Sequence, residues 1–312
     1  IGLFPTLIRM WMFARSNAAR GWEAVHSRPY LFGGQGRGAQ RAAWQVAFRA
    51  ECAALANTHY AQTLLDLVKA FERIPHRLLA EAAARHGYNL WLLRLTIAAY
   101  RLARSVGIDG AFSRLIVATR GLTAGSTFAT TELRVILLDV IDSASRLWPC
   151  AQFALYVDDL TVAAIASFRH VTAIVAADTD YVVGFLQNIL SLEVSKKKSL
   201  AVGATSSVGS ATAKASRCRV VSVQRAAKLL GTDSGGGRKR ATKVLQGRTK
   251  AAQKRIRKFY ALRRMRVNTA IMARVGVMPG IAYGVEINCI SDTALEAARS
   301  VVARCGTAPA AG

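Results

Sequence analysis

Residues 153–164, FALYVDDLTVAA, set Asp158 and Asp159 side by side between two short apolar runs. They form the one adjacent acidic pair in a chain with only 18 acids among 312 residues. Two neighbouring carboxylates repel unless one is protonated or a cation lies between them, and hard divalent ions such as Mg²⁺ prefer oxygen ligands. The chemistry this permits is a two-metal clamp, with ions ~3.5–4 Å apart holding the attacking and leaving oxygens of a displacement. Such a clamp needs a third acid. LLDLVKAFERIPHRLL (64–79) supplies Asp66, again at the end of an apolar run. Taken alone, the pair is also compatible with a solvated Asp–Asp turn.

The surrounding pattern predicts how these acids are positioned. YAQTLLDL reads as a strand ending near Asp66, and FALYV and LTVAA as a hairpin with the Asp pair at or beside its turn. HRLLAEAAARHGY predicts a helix from Pro75 to Gly87, with Glu81 and Arg85 spaced as an i,i+4 pair. WLLRLTIAAYRLA reads as another helix, and FSRLIVATRG as an extended segment. TTELRVILLDVIDSASRLW has helical spacing with Ser or Thr available as N-cap. A helix over about 168–189 follows, then EVSKKKSLAVG as a strand or hairpin. GTDSGGGRKR marks a flexible break, and 241–266 and the Ala-rich last 40 or so residues read as helical. FGGQGRG (32–38) has some nucleotide-cradling character but no preceding strand and no following Walker lysine, so it reads as a plain loop.

Composition points to the partner. Lys and Arg number 43 for a formal charge of +25, and 52% of residues are apolar, enough for a sizeable core. From Lys196 to Arg266 there are 21 Lys and Arg against a single acid, Asp233. One sign over so long a run is the footprint of a polyanion, with nucleic acid ahead of a membrane surface. The five cysteines are dispersed without a CxxC pair, so no zinc spacing arises and a reducing, intracellular compartment is expected. No uncharged stretch reaches the ~18 residues of a membrane span, and no signal peptide is visible.

In this order and spacing, the segments resemble the motifs of reverse transcriptases. DLVKAFERIPH resembles motif A, RGLTAGSTFATTEL (120–133) motif B, YVDD motif C, LEVSKKKSLAVG (192–203) motif D and AKLLG (227–231) motif E. IGLFPTLIRMW and FGGQGRGAQRAAW are similar to the fingers motifs of retron, group II intron and non-LTR enzymes, and IAYGVEI (281–287) to a non-LTR thumb. The resemblance implies an α+β right-hand polymerase core: partial fingers over 1–58, a palm with the remaining fingers elements over 59–231, and a basic helical thumb over 232–312. Its palm would be a small antiparallel sheet backed by helices. The chain begins inside the first fingers motif, so flanking endonuclease, RNase H or RNA-binding regions are expected to lie outside it.

The resemblance further implies that Asp66, Asp158 and Asp159 hold two Mg²⁺ ions, or Mn²⁺ in their place. A primer 3′-hydroxyl would attack the α-phosphate of a deoxynucleoside triphosphate, copying an RNA template onto a DNA primer. Phe71 sits at the steric-gate position, where it would exclude a ribose 2′-hydroxyl, though outside the family a packed core Phe is the preferred reading. Lys198 falls where a lysine protonates the leaving pyrophosphate, and is otherwise one of three solvent-facing lysines. Ala124 and Gly125 line the nucleotide in motif B, with Arg9 and Arg37 as triphosphate contacts. Tyr156, Leu230 and Gly231 would meet the primer, and Lys250, Lys254, Arg255, Arg257 and Lys258 the RNA–DNA duplex. Ala124 replaces the motif B glutamine, which favours an alternative: a nucleic-acid-binding protein of polymerase shape without turnover.

Overall fold

The computed structural model describes residues 4–34, 36–123 and 125–306. Three helices, α1 (Thr6–Ala14), α2 (Ser16–Val25) and α3 (Ala39–Leu55), precede strand β1 (His59–Asp66). Helices α4 (Ala70–Arg73), α5 (His76–Arg85) and α6 (Leu90–Tyr100) lead to a short hairpin, β2 (Gly107–Ile108) and β3 (Ala111–Phe112). Then come α7 (Ala129–Leu147), β4 (Gln152–Tyr156), β5 (Asp159–Ala166) and α8 (Phe168–Gly184), which runs into a π-helical turn over Phe185–Ile189. Next follow β6 (Leu200–Gly203), α9 (Ser206–Ala215), β7 (Ser222–Val223), β8 (Ala226–Leu229) and β9 (Thr232–Gly235). The chain closes with α10 (Lys243–Arg264), α11 (Thr269–Met272), a π-helical turn over Ala273–Val277, α12 (Met278–Ala282), α13 (Val285–Asn288) and α14 (Asp292–Gly306).

The central sheet has the order β4-β5-β1-β6-β7. It is antiparallel except at its edge, where β6 and β7 pair in parallel, a departure from the wholly antiparallel sheet expected. β1 is buried along nearly its whole length because strands flank it on both sides and helices cover both faces. Its side chains alternate accordingly. Thr63 bonds to Thr179 of α8 at 2.7 Å, whereas Gln62 turns to the other face and donates to Ser234 Oγ of β9 at 2.8 Å.

Several local expectations need correction. The first part of the segment expected to be a flexible break, Thr232–Gly235, instead forms β9, paired with β8 in a hairpin. Asp233, the lone acid of the basic run, explains this: its carboxylate accepts from the backbone N–H of Val244 at 2.9 Å and of Leu245 at 3.2 Å. These are orphan donors of the first turn of α10, and a negative charge there also complements the helix dipole. Glu81 pairs with Arg77 at 3.1 Å and leaves Arg85 to Asp139 at 2.6 Å, because α7 brings a second carboxylate within reach. No side chain caps Phe128 at the start of α7; the available Ser126 hydroxyl bonds to the Phe128 N–H instead. Only Leu200–Gly203 of the EVSKKKSLAVG segment is a strand. FSRLIVATRG is held by isolated bridges at Ile116 and Arg120 rather than by a regular strand.

Helix α10 buries a narrow stripe, Ala252, Ile256 and Phe259, in a cluster with Ala273, Val277 and Ile281 and with Ala298, Val301 and Cys305 of α14. By length and composition, one helical run among the described residues, Thr269–Asn288, is apolar enough to cross a membrane. Charged Arg274 and Glu286 lie within it, and Ala273, Val277 and Ile281 face the cluster just described.

Candidate active site

Strand pairing brings the three aspartates to one end of the sheet. β1 and β5 run antiparallel with Asp66 opposite Asp159, and β4 pairs with β5 with Tyr156 opposite Asp159. The two residues left between the strands are Val157 and Asp158, so Asp158 sits in the turn and Asp159 opens β5. Val157 takes a positive φ of 60°. Apolar neighbours on both strands fix this register, since a one-residue slip would turn Leu160 and Val162 out of the core. The Asp66 end is held by Ser195, whose N–H donates to the Asp66 carbonyl at 2.8 Å, and by Ser199 Oγ, 3.2 Å from the Asp66 N–H.

The electrostatics reflect crowding of like charge. Burial, followed by the charge of Asp66, raises the Asp158 carboxyl above its ordinary value. Burial and then the charges of Asp158 and Asp66 push Asp159 up to about 6. Lys198 opposes both shifts, and its Nζ lies 3.4 Å from Asp66. Among the described residues, no three His, Cys, Asp or Glu side chains come close enough together to hold a metal ion unaided. Mg²⁺ seldom uses an all-protein cage; one or two carboxylates, substrate phosphates and water complete its octahedron. An all-carboxylate donor set whose members repel one another fits that mode of binding.

A small cavity of about 80 Å³ joins Asp66, Asp159 and Lys198 to Lys228, Leu229 and Leu230 of the β8–β9 hairpin. Leu230 and Gly231 form the hairpin tip, which Tyr283 and Arg248 hold from behind. The Tyr283 hydroxyl donates to the Leu230 carbonyl at 3.1 Å and Arg248 Nη2 to the Gly231 carbonyl at 2.5 Å. Sequence reasoning missed Lys228, whose only signal was its place in AKLLG.

A second cavity, of about 400 Å³, is lined by Tyr156 and Val157 together with Arg20, Glu23, Arg37 and Thr131, among others. Gly33, Gly34 and Arg37 of the glycine segment border it, and no helix or strand is formed by its described residues, 32–34 and 36–38; the Phe32 N–H donates to the Leu155 carbonyl at 2.9 Å. Arg37 does structural work there: its guanidinium donates to the carbonyls of Arg28 and Leu31 and to Ser27 Oγ. Arg9 is exposed on α1, its side chain makes no hydrogen bond or ion pair among the described residues, and it lines neither cavity. Gly125 is exposed in the turn before α7, and Ala124 lies outside the described residues.

Phe71 lies in the single turn of α4, half-buried against the main core. The 120–123 segment buttresses this turn: the Gly121 N–H donates to the Ile74 carbonyl at 2.8 Å, the Leu122 N–H to the Phe71 carbonyl at 2.6 Å, and His76 Nε2 to the Gly121 carbonyl at 2.8 Å. Gly121, which the sequence reading did not single out, is indispensable to this contact: φ is +93°, and a Cβ there would lie 2.6 Å from the Glu72 carbonyl oxygen. Lys250, Lys254, Arg255, Arg257 and Lys258 all stand exposed around α10, with no ion pair to any of them among the described residues.

No protein-family model matches the chain, and no curated protein matches it by sequence. Solved structures do match. Apo telomerase from Candida Tropicalis aligns over 97% of this chain and 52% of its own at 10% identity, with a TM-score of 0.52. Telomerase from Candida albicans, solved with a TWJ fragment of telomeric RNA, aligns over 93% of this chain and 55% of its own at 9% identity, with a TM-score of 0.50. The chain thus spans about half the length of those proteins. At such identity the likeness concerns the backbone alone, and the fold it establishes is reverse-transcriptase-like.

Proposed function

We propose that this chain is the core of an RNA-directed DNA polymerase of non-LTR or group II-like retroelement type, with fingers, palm and thumb over 1–58, 59–231 and 232–312. The observation that carries the reading is the β1–β5 register, which sets Asp66 opposite Asp159 with Asp158 in the adjoining turn. The fold likeness to telomerase supports a polymerase, and the RNA fragment bound to the Candida albicans protein supports RNA as a partner.

In this reading Asp66, Asp158 and Asp159 present oxygen ligands to two Mg²⁺ ions. Such ions supply the positive charge that stabilises the attacking and leaving oxygens of a phosphoryl displacement. Lys198, within 3.4 Å of Asp66, holds a proton for the departing pyrophosphate. The Phe71 ring excludes a ribose 2′-hydroxyl, and the backbone contact of Leu122 keeps its turn from yielding. Leu230 and Lys228 meet the primer end across the small cavity, and the cations of α10 meet duplex phosphates without reading sequence.

Primer extension on an RNA template with Mg²⁺ and deoxynucleotides tests this against an Asp158→Ala/Asp159→Ala variant. Extension by the native chain and none by the variant, with duplex binding retained by both, is the expected result. Folded native protein that binds duplex yet extends nothing would overturn it in favour of the binding-only alternative.

A further inference from the structure

A cavity of about 950 Å³ lies away from the aspartates. His59, at the opposite end of β1 from Asp66, is part of its wall. At ~3.3 Å per residue, seven steps along the strand separate the two ends by about 23 Å. Five cations line the cavity, namely Arg225, Arg238, Lys239, Arg240 and Lys243, and no acid does. All five are exposed. Arg238 is anchored through Asn57 and the Ala54 carbonyl. Among the described residues, no side-chain hydrogen bond or ion pair engages Arg225, Lys239, Arg240 or Lys243. The loop that carries most of them is seated firmly: a Cβ on Gly236 would meet the Gly203 carbonyl carbon at 2.7 Å.

We propose that this groove is a second nucleic-acid site, which holds the phosphodiester backbone of an RNA strand away from the point of extension. Four unengaged cations without a carboxylate partner repel one another, and a polyanion is the ligand that relieves this. The groove has no aromatic wall apart from His59 and no large exposed apolar residue, so it offers neither a base-stacking platform nor a lipid-inserting face. Recognition is therefore of the backbone and independent of base sequence. A concavity of this size admits a few nucleotides of one strand rather than a duplex. The proposal takes the class of its ligand from the function proposed above, but its site and its test are separate.

The test is fluorescence anisotropy of a labelled single-stranded 12-mer RNA on the full chain, with α10 saturated by unlabelled template–primer duplex. The native chain is compared with an Arg225→Gln/Lys239→Gln/Arg240→Gln variant. If the four free cations each neutralise one phosphate, native affinity falls about 50-fold between 50 and 200 mM salt, and the variant, left with Lys243, about 3-fold. Duplex binding should be equal in both. An unchanged salt response in the variant, or full displacement of the RNA by duplex, would overturn the proposal. So would variant-sensitive capture of phosphatidylserine vesicles with RNA binding unaffected. Absence of primer extension alongside variant-sensitive RNA binding would refute the polymerase reading and leave this site standing.

Discussion

Replacing Gly121 by Ala tests how the two loops flanking the candidate active site support each other. The new methyl would sit at φ +93° and 2.6 Å from the Glu72 carbonyl oxygen. An L-residue in the left-handed region costs about 1–2 kcal/mol. Relieving the collision costs about 1–3 kcal/mol more, because the obstacle is backbone rather than a flexible side-chain end. Moving Glu72 also stretches the bonds from Gly121 to Ile74 and from Leu122 to Phe71, worth about 1 kcal/mol each. Loss of unfolded-chain freedom returns about 0.4–1 kcal/mol. The net destabilisation is then about 3–7 kcal/mol, a large share of the ~5–15 kcal/mol typical of a folded domain. Gly36 provides the control: its φ is +72°, but among the described residues nothing lies within 4 Å of an added Cβ, so Gly36→Ala should cost no more than about 1–2 kcal/mol. Thermal and urea midpoints by circular dichroism measure both, with Gly121→Ala expected to melt roughly 10 °C lower than the native chain. Equal shifts in the two variants would refute the collision argument and reduce Gly121 to its backbone angle.

Other predictions follow from single contacts. Glu132 is fully buried, and burial raises its carboxyl to about 7 against hydrogen bonds from Tyr100 and Thr96. A folded value above the unfolded one favours the fold at low pH, and that contribution is lost as pH rises through about 7. Unfolding free energies from urea titrations of the native chain should therefore decline between pH 5 and 8, and Glu132→Gln should remove up to about 3 kcal/mol of that decline, with Asp178 and Asp159, also raised, contributing the rest; parallel profiles would exclude Glu132 as a contributor. Phe71→Val should raise ribonucleotide incorporation relative to deoxynucleotide about 10–200-fold in a primer-extension ratio, and an unchanged ratio would leave Phe71 as a packing residue only. Five phosphate contacts by the α10 cations should weaken duplex binding about 500-fold between 50 and 200 mM salt, whereas a flat response in the same titration would remove α10 from the interface.

The local order of this chain is written plainly in its sequence. Apolar alternation predicts β1, β4 and β5, and the helical spacing of 76–85, 90–100 and 129–147 needs no tertiary partner to be read, because it reflects which residues must leave water. The same pattern places Asp66, Asp158 and Asp159 at the ends of apolar runs, but the pair alone suits a solvated turn as well, and only the order of the motifs gives the three a common role. Lys198 beside Asp66 and Leu230 beside both were legible only through the order of the motifs. What the sequence could not supply was long-range partnership. The register that sets Asp66 opposite Asp159 joins segments 93 residues apart (159 − 66), and it depends on which faces β1 and β5 bury together. Asp233 looked like a stray acid in a loop until β9 carried it to the start of α10. Gly121 resembled any loop glycine until the fold pressed it against Glu72. The basic run foretold a polyanion, but only the packing of α3, β1 and the 235–243 loop divides those cations between α10 and a separate groove. Composition sets the chain's total charge and apolar content, whereas the distances at which charges and backbones meet exist only once distant segments have been brought together.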